Sequence, residues 1–278
     1  MARRTGLWWG TVEGAGFDEL VAAAASAGFT DVSITPAMYV DARRAGASDA
    51  DLRATLDRHG VSVAMIDPLI SGLPGIPAPD DVGPRFRSTF EHGEEACYRA
   101  AEAVGASAVN VAHFLGNPTP QEQLVDAIGA IATRAAARGI DVLVEFMPDG
   151  SIPDLATAVS IVTAVDAANC ALTIDTWHHW RCGGDASELR SLAPRTIGAV
   201  QLSDALDDVR GSWATPPTRD RLLPGEGVIP LRDLVAAARA NRPDVLIGVE
   251  VFSRSWRDQP YGERAARTMT ALRTALDA

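Results

Sequence analysis

The chain of 278 residues carries 25 basic and 36 acidic side chains, a formal net charge of −11, and 47% of its residues are hydrophobic. This profile is typical of one soluble globular unit with a large core. Every basic residue is Arg, because the sequence contains no Lys, and this excludes Schiff-base chemistry, a pyridoxal phosphate anchor and a phosphate-loop lysine. The negative charge also argues against a nucleic-acid surface.

The cysteines and the amino-terminal segment indicate the compartment. Cys97, Cys170 and Cys182 are odd in number and lack CxxC spacing, so neither a disulfide framework nor a cysteine zinc site is expected. Polar residues and glycine interrupt the start of the chain before an apolar core of signal-peptide length can form. No stretch approaches the roughly 20 apolar residues of a membrane span. We therefore expect a cytoplasmic protein without a membrane partner.

Eight short apolar runs, rich in β-branched residues, alternate with longer stretches of helical periodicity. The predicted strands are residues 6–12, 31–36, 61–68, 108–114, 141–148, 171–178, 197–204 and 245–252. The predicted helices are residues 17–27, 49–59, 85–104, 121–138, 155–168, 231–240 and 263–276. Gly28, Gly60, Gly105 and Gly139 directly follow four of these helices, as C-terminal caps do. The alternation predicts parallel βα units.

The number of units points to the fold class. Eight βα units in about 250 residues predict a single α/β domain over residues 1–278, a closed (β/α)8 TIM barrel. An open doubly wound sheet uses the same units, but it requires a glycine-rich fingerprint after an early strand. The first strand is followed by Gly10, Glu13, Gly14 and Gly16, a poor match to GxGxxG, so the barrel is favoured. Two Pro/Gly-rich loops, 69–83 and 205–227, are expected to cover the active site.

Four consecutive predicted strands carry an oxygen-bearing side chain at the end where barrels place their catalytic groups. These side chains are Glu145, Asp175, Gln201 and Glu250, each preceded by an apolar stretch. Three carboxylates at one barrel mouth repel each other unless a cation neutralises them, because an uncompensated buried carboxylate costs several kcal/mol. A divalent metal ion resolves the conflict. The alternative is that each acid caps the following helix or pairs with one of the many arginines.

The order and spacing of several short segments resemble the xylose isomerase-like barrels, a family of sugar isomerases, ketose 3-epimerases, inosose-processing enzymes and related dehydratases. The segments are Val144-Glu145-Phe146, Ile174-Asp175-Thr176-Trp177-His178, Val200-Gln201-Leu202-Ser203-Asp204, Leu223-Pro224-Gly225-Glu226-Gly227 and Val249-Glu250-Val251. The resemblance covers essentially the whole chain. It implies that the four strand-end residues ligate a metal ion. It also implies that Glu145 and Glu250 act as an acid/base pair, that His178 contacts a substrate oxygen, and that the protein forms homodimers or homotetramers.

One position departs from the commoner family pattern. Many relatives carry His at the strand-seven position that Gln201 occupies here. A glutamine can ligate through its amide oxygen, which makes the ligand set all oxygen and favours Mn²⁺ or Mg²⁺, with Co²⁺ or Zn²⁺ as alternatives.

The resemblance thus implies an isomerase or epimerase that abstracts a proton next to the carbonyl of a keto-sugar or polyol through a metal-bound enediolate. The alternative is a metal-dependent dehydratase or lyase, because Gln201-Leu202-Ser203-Asp204-Ala205 is similar to the 3-dehydroshikimate dehydratase branch. An accessory subunit with a vestigial metal site is a further alternative. An abasic-DNA endonuclease, which shares the superfamily fold, is disfavoured by the charge of −11 and by only five histidines.

Residues expected near the barrel mouth are candidates for contacting a keto-polyol or sugar. They are Trp8, His113, Trp177, Arg210 and Trp256. All six tryptophans are predicted on the catalytic face, where aromatic walls suit the apolar face of a sugar ring or an aryl substituent. The alternatives are core packing for each tryptophan and for His113, and surface solvation for Arg210.

Overall fold

The computed structural model describes residues 4–84, 86–207 and 221–277. Eight parallel strands form a closed barrel in chain order, in which β1 pairs with both β2 and β8. The strands are β1 Thr5–Leu7, β2 Asp31–Ile34, β3 Ser62–Leu69, β4 Ala108–Ala112, β5 Asp141–Glu145, β6 Cys170–Asp175, β7 Ile197–Leu202 and β8 Leu246–Val249. The closed ring confirms the (β/α)8 barrel and excludes the open doubly wound sheet.

Helices connect the strands around the barrel. Within the described residues they are α1 Phe17–Ala27, α2 Pro36–Arg44, α3 Asp49–His59, α4 Arg87–Phe90, α5 Glu94–Val104, α6 Gln121–Ala136, α7 Leu155–Val165, α8 Thr176–Arg181, α9 Ala186–Ser191, α10 Leu231–Asn241 and α11 Tyr261–Asp277. Local signals set several of their ends. The Ser48 hydroxyl accepts a hydrogen bond from the Asp51 amide at the start of α3, and Gly60 ends the helix in the left-handed region at φ 64°.

The differences from the predicted elements have local causes. The first predicted strand is shorter because a 3₁₀ helix, Trp9–Val12, begins two residues after β1. The predicted helix 85–104 is two helices, α4 and α5, because the extended backbone of Gly93, at φ −86° and ψ −170°, interrupts it. Helix α2 lies in a stretch for which no helix was predicted. Its signal is Thr35 followed by Pro36, an N-cap and a proline in the first turn.

Trp8 fills the interior of the barrel. Its fully buried side chain packs in one cluster with Met65 and Leu143 and with alanines of neighbouring strands. A Cβ atom at Gly6 or Gly248 would lie 2.3 or 2.0 Å from the indole ring, so these glycines make room for it. Trp8, predicted as a substrate contact, therefore takes the alternative role of core packing in this structure.

Two further features concern the cysteines and the length of the helices. Cys97, Cys170 and Cys182 are free thiols. Among the described residues, no helix combines the length and the apolar character that a membrane crossing needs.

Candidate metal centre and active site

The carboxyl ends of β5 to β8 bring the four predicted metal ligands to one end of the barrel. Glu145 and Asp175 are the last residues of β5 and β6, and Glu250 directly follows β8. Gln201 in β7 is the register partner of Asp175. All four side chains are buried, with exposed fractions of 5% or less. Parallel strands end at the same edge of the barrel, so residues at the ends of successive strands lie close together although they are far apart in the sequence.

Asp175 connects the strand end to the short helix α8. One carboxylate oxygen, Oδ1, accepts hydrogen bonds from the backbone amides of Trp177 at 2.8 Å and His178 at 3.2 Å. This capping begins α8 immediately after β6 and turns the His178 ring back toward the cluster. His178 Nε2 lies 3.6 Å from Asp175 Oδ2 and 3.7 Å from Glu145 Oε1. The capped first turn of α8 is therefore the structural reason that Asp175 and His178, three residues apart in the sequence, both reach the cluster.

Burial and neighbouring charges shift the pKa values of the cluster in different directions. Burial, reinforced by the charges of Asp67 and Asp175, raises the pKa of Glu145 well above its usual range. Burial and then the Asp67 charge likewise raise the pKa of Glu250. Burial lowers the pKa of His178 to about 3, so its imidazole is neutral near pH 7. Burial by itself would raise the pKa of Asp175, but Arg221 and His178 outweigh it and hold that pKa below its usual range.

Arg221 is a cation within the cluster that the sequence reasoning did not identify. Its side chain is 2% exposed, and NH1 donates to Asp175 Oδ2 at 2.7 Å. The same nitrogen is 3.8 Å from Glu250 Oε2, and NH2 is 3.3 Å from His178 Nε2. The guanidinium also lies over the rings of Trp177 and Phe252. The alternative that an acid pairs with an arginine therefore holds for Asp175.

Asp67 and Asn110 extend the cluster toward β3 and β4. Asn110 Nδ2 donates to Asp67 Oδ1 at 2.8 Å and to Glu145 Oε2 at 2.7 Å. Gln201 Nε2 donates to Asp67 Oδ2 at 3.3 Å. Burial raises the pKa of Asp67 to about 6. The sequence contains a signal for both residues, since each is a polar side chain inside a largely apolar strand, but neither belongs to the last four strands, whose ends carry the predicted ligands.

The chemistry of the donors fits a divalent cation. One ligand atom each from Glu145, Asp175 and His178 lie within 4.8 Å of one another, a grouping that can hold a metal ion. Gln201 Oε1 is buried and has no hydrogen-bond partner among the described residues. Gln201 is the register partner of Asp175, and a buried amide oxygen without a partner is the kind of donor that Mn²⁺ and Mg²⁺ take up. Among the described residues, Glu145, Asp175 and His178 are thus the group whose ligand atoms lie close enough together to hold an ion, and the predicted ligands Gln201 and Glu250 follow at the ends of the next two strands.

A cavity of about 380 Å³ opens above the cluster. Its polar floor includes Asp67, Glu145, His178, Arg221 and Glu250. Its walls are largely apolar and include Trp9, Ile70, Phe86, Phe114, Met147 and Phe252. The Phe86 and Phe114 rings pack edge to face at 5.3 Å. The cavity therefore joins a floor of buried titratable side chains to a largely aromatic wall.

The other predicted substrate contacts lie elsewhere. His113 hydrogen-bonds to the backbone of two loops: Nε2 is 3.0 Å from Pro74 O, and Nδ1 accepts a hydrogen bond from the Ser151 amide at 3.1 Å. Trp177 and Trp256 are buried beneath Arg181 and Arg267, respectively, and neither lines the cavity in the described structure. Arg210 lies outside the described residues. The aromatic wall exists, but phenylalanines and Trp9 form most of it.

A buried acid cluster in the mouth of a (β/α)8 barrel defines the class of protein: a barrel with a candidate metal centre at the carboxyl ends of its strands. A family model described as xylose isomerase-like TIM barrel matches residues 21–275. The chain belongs to the xylose isomerase-like TIM barrel family.

Individual relatives show a range of activities. A 3-dehydroshikimate dehydratase of Pseudomonas aeruginosa is 28% identical over 166 residues, which cover 58% of this chain and 25% of the relative. The matched region is thus a quarter of the length of that curated protein. The IOLI protein, solved with a bound zinc atom, superposes with a TM-score of 0.81 at 17% identity over 99% of this chain and 98% of its own. D-psicose 3-epimerase from Clostridium cellulolyticum H10 superposes with a TM-score of 0.70 at 17% identity, covering 98% of each chain.

Proposed function

We propose that this protein is a divalent-metal-dependent isomerase or epimerase that acts on a keto-sugar or polyol. The observation that carries the proposal is the cavity floor, where two buried glutamates with raised pKa values, Glu145 and Glu250, lie around Asp175 and His178. Carboxyl groups whose pKa values are raised by burial suit proton abstraction and return next to a carbonyl. The epimerase among the structural relatives is consistent with a sugar substrate.

The residues of the floor have separable roles. A divalent ion held by Glu145, Asp175, Gln201 and Glu250 would polarise the substrate carbonyl and so acidify the adjacent C–H bond. Glu145 and Glu250 belong to strands three apart in the ring, so they approach the cavity from different sides. One glutamate removes the proton, and the other returns it to the opposite face in an epimerisation. In an aldose–ketose isomerisation, a single glutamate carries the proton between neighbouring carbons.

His178 orients the substrate in this proposal. With a pKa of about 3, the neutral ring has no proton to give as an acid near pH 7. Its Nδ1 is buried without a hydrogen-bond partner among the described residues. A neutral imidazole next to Glu145 can hydrogen-bond a substrate hydroxyl without adding charge to the site.

A dehydratase or lyase is the second candidate, and the match to 3-dehydroshikimate dehydratase favours it. Abstraction of the proton next to the carbonyl is common to both reactions. In an elimination, a hydroxyl on the next carbon then leaves and must be protonated. The glutamate that has taken up the C–H proton is the acid for this step, because the neutral His178 ring, with a pKa of about 3, has no proton to give.

The walls of the cavity restrict the class of substrate that we propose. The floor takes the hydroxyls and carbonyl of a polyol, whereas Phe86, Phe114 and Phe252 on the walls offer no hydrogen bonds. Aromatic rings stabilise a ligand through its apolar faces. The proposed substrate is therefore a keto-polyol with an apolar ring face or an attached apolar group.

The test follows the shared first step. Mn²⁺-loaded protein is incubated in D₂O with a panel of ketohexoses, cyclic keto-polyols and their aryl-substituted derivatives, and deuterium uptake next to the carbonyl is followed by NMR. New diastereomers indicate epimerisation, aldoses indicate isomerisation, and ultraviolet absorbance of a conjugated enone indicates elimination.

Variants link the exchange to the floor. Glu145→Gln and Glu250→Gln should each slow exchange by about 10²- to 10⁴-fold, the usual contribution of a general acid or base. Glu94→Gln, on helix α5 outside the cavity, is the matched control and should exchange at the wild-type rate. Full activity and metal content in both floor variants would refute the proposal.

A further inference from the structure

Gln201 can serve a metal ion only if the correct end of its amide faces the site. The carbonyl oxygen can ligate a cation, whereas the NH₂ group repels one. The backbone of β7 does not decide between the two orientations, because they differ only by a rotation about the last side-chain bond. A neighbouring residue must therefore select one of them.

Asp67 is placed to make this selection. Gln201 Nε2 donates to Asp67 Oδ2 at 3.3 Å, and Gln201 Oε1 is then left buried without a partner among the described residues. Both side chains are almost completely buried, at 3% and 1% exposure, so water does not compete for the amide. A carboxylate offers only acceptors, and it therefore holds the NH₂ end toward itself.

The orientation of Asp67 is itself defined by a chain of hydrogen bonds. The Thr173 hydroxyl donates to Asn110 Oδ1 at 2.7 Å, which turns Asn110 Nδ2 toward the acids. Asn110 Nδ2 donates to Asp67 Oδ1 at 2.8 Å and to Glu145 Oε2 at 2.7 Å. The roles of the atoms are consistent along the chain of hydrogen bonds: Thr173 Oγ1 and Asn110 Nδ2 donate, and Asn110 Oδ1 and Asp67 Oδ1 accept. Asp67 Oδ2 is thereby left to face Gln201.

We propose that Asp67 is a positioning residue that orients the Gln201 amide oxygen toward the metal ion, so that glutamine serves as a ligand at this position. Both Asp67 carboxylate oxygens accept hydrogen bonds, Oδ1 from Asn110 and Oδ2 from Gln201, so Asp67 acts through Gln201. The inference rests on the proposed function, because it presupposes that the cluster binds a divalent ion. Groups that hydrogen-bond to metal ligands typically change metal affinity by 10- to 100-fold when they are replaced.

Asp67→Asn is the informative substitution. Asn110 still donates to position 67, so the new oxygen is engaged there and the new NH₂ group faces Gln201. The Gln201 amide then turns over to accept this hydrogen bond, and its NH₂ end points at the metal site. We expect chelator-treated Asp67→Asn protein to bind Mn²⁺ about 10- to 100-fold more weakly than the wild type in calorimetric titration.

A double-mutant cycle separates this role from simple loss of a negative charge. In a Gln201→Leu background no amide remains to be oriented, so Asp67→Asn should cause only a small part of the loss seen with Gln201 present. An equal fold-loss in both backgrounds would overturn the inference, because Asp67 would then act through its charge. Thr173→Val, which removes only the hydroxyl that orients Asn110, should weaken Mn²⁺ binding in the same Gln201-dependent way.

The controls distinguish the failure of the inference from that of the proposed function. Asp31→Asn replaces a buried carboxylate of β2 that pairs with Arg4 outside the cavity, and it should leave Mn²⁺ affinity unchanged. Unchanged Mn²⁺ affinity in Asp67→Asn would overturn the inference alone. Absence of Mn²⁺ binding by the wild-type chain, or binding that survives replacement of both Glu145 and Asp175, would overturn the proposed function and the inference together.

Discussion

Arg221 and a bound divalent ion would compete for the same carboxylate, that of Asp175. Arg221 NH1 is 2.7 Å from Asp175 Oδ2, the oxygen of Asp175 that α8 capping leaves available. The guanidinium supplies positive charge to a floor that also contains Asp67, Glu145 and Glu250. Its role in the metal-free protein is therefore charge compensation, and a metal ion that used Asp175 as a ligand would have to share this carboxylate with Arg221 or displace the guanidinium.

This competition predicts opposite effects on stability and on metal affinity. Arg221→Gln should destabilise the metal-free protein by about 3–5 kcal/mol, because it leaves buried carboxylates uncompensated. The same variant should bind Mn²⁺ more tightly, because Asp175 no longer has a competing partner. Urea unfolding in the presence of chelator and calorimetric titration measure the two effects. A loss of Mn²⁺ affinity in the variant would contradict the prediction.

For single residues, the sequence predicts which side chains become neighbours where the same strand geometry is repeated around the barrel. Glu145, Asp175, Gln201 and Glu250 lie at one end of the barrel because parallel strands end at one edge, so equivalent positions become neighbours. Arg221 was not identified, because it reaches the cluster from the segment that returns to the barrel after β7. No local periodicity specifies where such a segment runs.

That returning segment is organised by one carboxylate. Asp204 Oδ2 accepts hydrogen bonds from the amides of Gly225 and Gly227 at 2.9 and 3.0 Å, and Oδ1 accepts from Ile229 at 2.9 Å. The backbones of Asp204 and Leu222 also exchange two hydrogen bonds. The Pro-Gly-Glu-Gly motif is thus fixed by a side chain about 20 residues earlier, and it places Arg221 at the site.

Removing that carboxylate should loosen the segment. In Asp204→Ala the amides lose their acceptor, and each buried unsatisfied donor costs about 1–3 kcal/mol. We expect faster hydrogen–deuterium exchange at Gly225, Gly227 and Ile229, together with lower stability. Asp207→Ala, which removes an exposed carboxylate three residues further on, is the control and should show neither effect. Unchanged exchange at the three amides would show that Asp204 is not what fixes the segment.

Helices α5 and α6 are joined by an ion pair whose contribution depends on pH. Arg134 donates to both carboxylate oxygens of Glu94, at 2.6 and 2.7 Å. Partial burial favours the neutral acid, but the hydrogen bonds from Arg134 prevail and lower the pKa of Glu94. A depressed folded-state pKa stabilises the protein above the unfolded-state pKa, and this stabilisation is lost as the pH falls through the folded-state value.

The expected size is small because the pair is partly solvated. Glu94→Gln should cost no more than about 1 kcal/mol at pH 7. The difference from the wild type should shrink as the pH is lowered below the usual glutamate range near 4.3, as measured by urea unfolding at a series of pH values. A difference that stayed constant into the acid range would mean that packing, rather than charge, links the two helices.

For the molecule as a whole, the site is assembled from distant parts of the chain. Asp67 in β3 and Glu250 after β8 both reach the same floor, so the cluster exists only when the ring is closed. An ion that binds this cluster binds the folded state and not the unfolded chain. Metal binding should therefore stabilise the entire barrel by mass action.

The prediction is quantitative. Mn²⁺ at a concentration of 100 times its Kd should raise the free energy of unfolding by about 2.7 kcal/mol and increase Tm accordingly. The double variant Glu145→Gln with Asp175→Asn should show no such shift. An equal shift in the double variant would place the stabilising ions on the acidic surface of this chain, whose net charge is −11, rather than in the barrel mouth.

The sequence by itself determined the architecture and the group of polar residues at the ends of the last four strands. Strand and helix periodicity, glycine caps and polar strand ends are local properties, and eight repeats of one unit leave few ways to pack. Only the tertiary structure decided that Trp8 fills the core while Trp9 and phenylalanines form the wall, that Arg221 is the cation among the acids, and that Asp67 faces the Gln201 amide. The physical reason is that these relations join residues far apart in the chain through contacts that no sequence period encodes.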